Sequence, residues 1–144
     1  MSAKLLLKIA AVFMLTHSAS HILLCFSWQK SYVPTEVVQK MQEIKFHNMM
    51  FNADLTMADL YTGASCFGII LVLLIGSLLW ILSDRYSMNI FAVKVLWIVE
   101  IAIILHVLVE LIYYFPIALI FCIPSAIFVL IAIIRINKLK TQQT

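Results

Sequence analysis

The stretch LYTGASCFGIILVLLIGSLLWIL, residues 60–82, contains no charged side chain and no proline. At about 1.5 Å of helical rise per residue it reaches across the ~30 Å hydrocarbon core of a bilayer. Outward from it, three further apolar runs recur near residues 9–28, 90–113 and 117–134. The whole chain agrees with that reading. Of its 144 residues 64% are hydrophobic and only 12% charged, and the mean hydropathy is +1.05, values outside the range of soluble domains. The expected fold is therefore all-α: an integral membrane four-helix bundle, a single transmembrane domain over residues 1–144, in contact with the lipid bilayer. No repeat or low-complexity tract divides it.

Lysine and arginine collect in short cytoplasmic segments, so their placement predicts orientation. Lys4 and Lys8 precede the first run, Arg85 and Lys94 flank the second turn, and Arg135, Lys138 and Lys140 follow the last run. In the first connection Lys30, Lys40 and Lys45 are offset by Glu36, Glu43 and Asp54. Both termini are expected in the cytoplasm. The net charge of +3 is then a topology signal, and scattered lysines without interleaved aromatics give no case for nucleic acid as a partner. Ser18-Ala19-Ser20 resembles a signal-peptidase site, but Ile22-Leu23-Leu24-Cys25-Phe26 resumes the apolar run, and an uncleaved span is expected.

The long connection, residues 29–56, has a pattern of its own. Thr35 is placed to cap a helix that carries Val37, Val38, Met41, Ile44 and Met49 on one face, which predicts an amphipathic surface helix in this extracytoplasmic connection. His47 reads as a solvated side chain.

Ionisable groups inside apolar spans cost about 2.5–3.5 kcal/mol each on insertion scales, so they normally face one another or a wet cavity. The first span carries His17 and His21, and the third carries Glu100, His106 and Glu110. His17 and His21 are four apart, as are His106 and Glu110, so each pair shares a helix face. Counted from residues 9 and 90, His17 and Glu100 lie ~12 Å deep and His21 and His106 ~18–21 Å, which predicts matched levels. Asp59 opens the second span near the outer interface, where Tyr61, Tyr113 and Tyr114 are expected to form an aromatic belt. If the first and third helices touch, these groups form a ladder that Cys122 and Ser125, beside Pro124, close from the fourth span. Ala64 and Gly68 are expected to allow close helix packing.

Several functions fit such a ladder. His17, His21 and His106 can ligate a metal ion, with Glu100 or Glu110 completing the set; opposed His21 and His106 can ligate a haem. A glutamate beside a histidine can move a proton in an apolar substrate, or the same groups can relay protons or bind a small solute. In a non-catalytic helper or interaction subunit, within a homo-oligomer or a membrane complex, they cross-link helices through hydrogen bonds worth about 0.6 kcal/mol each. The leading expectation is a protein that binds a metal or small ligand, with an enzymatic role left open. Cys25, Cys66 and Cys122 form no Cys-x-x-Cys, and although Cys25 and Cys122 lie at comparable depth, free thiols are expected. Neither a phosphate-binding glycine loop nor a nucleophile elbow occurs.

The segment His17-Ser18-Ala19-Ser20-His21 and the run Asp59-Leu60-Tyr61-Thr62-Gly63 entering the second span give the chain a likeness to a family. It resembles small, uncharacterised four-helix bacterial membrane proteins that are distantly DoxX-like. The resemblance implies a four-span bundle in a bacterial inner membrane and carries no established reaction. Here Ser and Ala stand between the histidines where the family usually has Gly, and Thr56-Met57-Ala58 precedes Asp59 where it usually has Arg.

Overall fold

A computed structural model describes residues 1–31, 33–48, 52–85, 90–113 and 116–141. Five helices and one hairpin follow in chain order: α1 (Ala3–Ser31), α2 (Thr35–Glu43), β1 (Lys45–Asn48), β2 (Ala53–Thr56), α3 (Met57–Arg85), α4 (Ile90–Tyr113) and α5 (Pro116–Thr141). Four of the helices are long and apolar enough to cross a membrane, over Ala3–Trp28, Met57–Asp84, Phe91–Ile112 and Ala118–Leu139. The protein is an all-α integral membrane protein. Its first and last helices run further than hydropathy alone suggests. Lys4 and Lys8, and Asn137 and Lys138, continue a helix without breaking it, since a charge ends an apolar run but not a hydrogen-bonded backbone.

The chain forms two compact units, Met1–Ser18 with Val72–Thr144, and Ala19–Leu71, with α1 and α3 contributing to both. In the first unit a core is built from stripes at helical spacing. From α1 come Leu6, Leu7, Ala10, Ala11 and Met14; from α3 Val72, Ile75, Leu79 and Leu82. From α4 come Ala92, Leu96, Val99 and Ile103; from α5 Cys122, Val129, Ala132, Ile133 and Ile136. Every helix is apolar on its other faces as well, where Leu73, Leu74, Ile98, Leu105 and Ile131 are exposed to lipid. The inner stripes differ in admitting alanines, serines, a histidine and glutamates among their large aliphatic side chains.

Close packing in this unit falls at Gly76, where a Cβ would stand 3.0 Å from the Leu15 side chain and 3.2 Å from its backbone nitrogen. The expectation placed this role on Gly68, where a Cβ would meet no atom within 4 Å. Spacing identifies small residues but not which face meets a neighbour. Ser125 donates to the Ala10 carbonyl oxygen at 3.1 Å, tying α5 to α1, and Pro124 lies inside α5 without ending it. At one end Lys4 pairs with Asp84 at 2.6 Å, Lys8 lies over the Trp80 ring at 4.9 Å, and Arg135 donates to the Met1 carbonyl.

In the second unit Trp28, Val38 and Ala58 are buried together, with Met41 against them, and the Trp28 and Tyr61 rings lie 4.7 Å apart. The surface helix is shorter than expected. Pro34 rather than Thr35 precedes its first turn, and the Pro34 carbonyl accepts from Val37 N at 2.9 Å and Val38 N at 3.2 Å. At Ile44 the backbone turns extended, and β1 pairs antiparallel with β2, Lys45 opposite Thr56 and Asn48 opposite Ala53. Asn52, at φ 48°, supplies the left-handed residue before β2, and His47 Nδ1 meets Asp54 Oδ1 across the hairpin at 2.9 Å. Cross-strand pairing thus wins over the helical stripe that Ile44 and Met49 suggest; Met49 and Tyr114 lie outside the described residues.

Candidate metal centre

The inner stripe of α1 does not stop at Met14. One turn on it continues as His17 and Ser18, both fully buried. On α4 the stripe runs Leu96, Val99, Glu100, Ile103 and ends at Glu110, with His106 half-buried beside it. On α5 it passes through Cys122, which is fully buried. Helical periodicity therefore aims polar groups of three helices into one core.

They meet. His17 Nε2 and His106 Nε2 lie 3.3 Å apart, with the rings edge to face at 88° and centroids 5.4 Å apart. His106 Nε2 is also 3.3 Å from Glu110 Oε1, one turn along α4. A ring nitrogen of His17, a ring nitrogen of His106 and Cys122 Sγ all lie within 4.8 Å of one another. Phe121, the residue before the cysteine, sets its ring 5.8 Å from that of His17. The same ring lines an apolar groove of about 410 Å³ together with Val12, Phe13, Thr16 and Trp80, so Phe121 stands between His17 and the lipid-facing surface.

The levels differ from those counted on the sequence, which paired His21 with His106. α1 begins at Ala3 rather than residue 9, and measured from the true helix starts His17 lies ~21 Å along α1 and His106 ~24 Å along α4. From the other end, His106 lies ~10 Å below the end of α4 and Cys122 ~9 Å below the start of α5. The six residues by which α1 starts earlier add ~9 Å to every depth along it and bring His17 to within ~3 Å of the level of His106.

Glu100 and Ser125 are the first unit's remaining candidates, and His21 and Asp59 lie in the second. Glu100 is 2% exposed, six residues before His106, and its Oε2 has no hydrogen-bond partner among the described residues. Ser125 is spent on the Ala10 carbonyl. In the second unit His21 is partly exposed on α1. Asp59, also there, is committed to a helix start: its Oδ2 accepts from Thr56 N at 2.9 Å and from Thr56 Oγ1 at 2.7 Å, while Asp59 N donates to Thr56 Oγ1 at 3.1 Å. This reciprocal pair is a capping box for α3. Phe121 carried no signal in the sequence, whereas Cys122 did, through its spacing from Ala118, Ser125 and Val129 on the inner stripe of α5.

Two imidazoles and a thiol are good donors for transition metals and poor ones for calcium or magnesium, which prefer oxygen. No family model, curated protein or solved structure matches this chain.

Proposed function

We propose that this integral membrane protein binds a first-row transition metal ion of the zinc and copper group, with His17, His106 and Cys122 as ligands. The carboxylate of Glu110, beside His106, offsets part of the ion's charge. The observation that carries the reading is the 3.3 Å separation of the two Nε2 atoms. Tetrahedral zinc with Zn–N of ~2.0–2.1 Å holds two nitrogens ~3.3–3.4 Å apart, so the imidazoles already stand at a ligand edge. Bringing the thiol to ~2.3 Å from the same ion needs its distance to the imidazole nitrogens, within 4.8 Å, to close by ~1.2 Å or less. The three-ligand set leaves a coordination position for water or a small ligand, the arrangement of reactive rather than closed structural sites. Two imidazoles in edge-to-face contact suit one small ion between them better than axial ligation on opposite faces of a haem.

The setting we infer is a bacterial inner membrane, as the resemblance implies, with both termini cytoplasmic. Lys4, Lys8 and Arg135 cluster at one end of the first unit, in keeping with that orientation. The competing role, a helper subunit whose polar groups only cross-link helices, makes an opposite prediction. Protein purified in detergent without chelator is compared by elemental mass spectrometry with the His17→Leu/His106→Leu double variant prepared alongside. Near-stoichiometric zinc or copper in the wild type and its loss in the folded variant support the metal reading. A wild type that neither carries these metals nor takes them up on titration refutes it.

A further inference from the structure

The second unit holds a pair of thiols that the metal reading does not use. Cys25 on α1 and Cys66 on α3 are far apart in sequence, with no Cys-x-x-Cys to announce them, yet their Sγ atoms lie 3.5 Å apart. Both are free thiols, Cys25 buried and Cys66 half-buried. Cys25 Sγ also lies 3.9 Å from the Thr62 carbonyl oxygen, one turn before Cys66 on α3, which holds the thiol toward that helix. Around Cys66 the α3 surface is open: neither Gly63 nor Gly68 has any atom within 4 Å of where a Cβ would stand. A small molecule therefore reaches Cys66 first and Cys25 second. Cys25 is six residues from the end of α1, ~9 Å along the axis, a depth near the headgroup boundary of a helix longer than the hydrocarbon core.

We propose that Cys25 and Cys66 are a redox pair that closes to a disulfide by exchange with an external low-molecular-weight or protein disulfide. The Cys66 thiolate attacks one sulfur of the external disulfide, forming a mixed disulfide and releasing one external thiol. The Cys25 thiolate then attacks the Cys66 sulfur, forming the Cys25–Cys66 bond and releasing the second external thiol. Two protein thiols are oxidised, one external disulfide is reduced to two thiols, and the two protons pass to the departing thiolates. The bond requires the sulfurs to approach from 3.5 Å to ~2.05 Å, within the reach of side-chain torsions. Closure ties α1 to α3 in the unit that carries α2 and the hairpin. The metal centre in the first unit uses Cys122 and is independent of it.

Reduced full-length protein in detergent, with chelator present so that no metal masks a thiol, is incubated with glutathione disulfide. It is then denatured, alkylated with N-ethylmaleimide and mapped by mass spectrometry without reduction. The expected wild-type product is a Cys25–Cys66 cross-linked peptide, no retained glutathione, and alkylation at Cys122 alone. In Cys25→Ser the resolving thiol is missing, so glutathione stays attached to Cys66; Cys25→Ala serves if the serine variant does not fold. Three alkylated cysteines after oxidation, a cross-link through Cys122, or glutathione retained by the wild type as much as by the variant each overturn the proposal.

Discussion

Replacing His106 by Leu separates a metal site from a helix cross-link by magnitude. In the metal-free protein the change removes the contacts that His106 makes at 3.3 Å with His17 and with Glu110. Interhelical hydrogen bonds in membranes average about 0.6 kcal/mol, and the new side chain is apolar, so metal-free stability should fall by roughly 1 kcal/mol or less. The metal-dependent term is larger. Outer-sphere changes already weaken metal sites 10–100-fold, so loss of one of three ligands should raise Kd by about 100-fold or more. At a free metal concentration of ~100 Kd the wild type gains about 2.7 kcal/mol, whereas a variant with Kd raised 100-fold gains only about 0.4 kcal/mol. The difference of roughly 2.3 kcal/mol is read by thermal or denaturant unfolding in detergent, with and without zinc, at the same metal activity. The result that refutes the reasoning is a wild type whose stability does not respond to zinc or copper, or a variant that responds equally.

The packing of α1 on α3 predicts unequal glycines. Gly76→Val drives a side chain into Leu15 and should cost about 1–3 kcal/mol in unfolding assays, while Gly68→Val, with open space around it, should change stability by well under that. Thr56→Ala removes one half of the Thr56–Asp59 capping box and should destabilise the first turn of α3 by about 0.5–2 kcal/mol, visible as faster amide exchange there with little change in the centre of the helix. Four crossings return the chain to the side where it started, so reporter fusions at the two ends should report the same compartment, the cytoplasm by the distribution of Lys and Arg. Opposite readings at the two ends would eliminate one span.

The helices were legible because each span must satisfy its own backbone in lipid, and an unbroken apolar run can do so only as a helix. The connection was less so. A helical stripe through Ile44 competes with a hairpin that needs a left-handed residue at Asn52 and a partner strand 53–56, and pairing between distant residues leaves no local period to read. The polar candidates were visible through cost: a histidine or glutamate in an apolar run needs a reason wherever it points. Which of them meet was not visible, because a six-residue difference in where α1 begins shifts every level along it by ~9 Å.

By itself the sequence determined that this chain lives in a membrane, how many times it crosses, and which few side chains must be kept from lipid. Burial in hydrocarbon is priced residue by residue, so composition and periodicity suffice for that. Tertiary structure alone decided that His17 meets His106 and Cys122, that Asp59 serves a helix end, that Gly76 rather than Gly68 is the point of close approach, and that Cys25 faces Cys66. In helices that are apolar all round, the hydrophobic effect does not choose which face turns inward; close packing between particular side chains does, and those contacts join residues far apart in the chain.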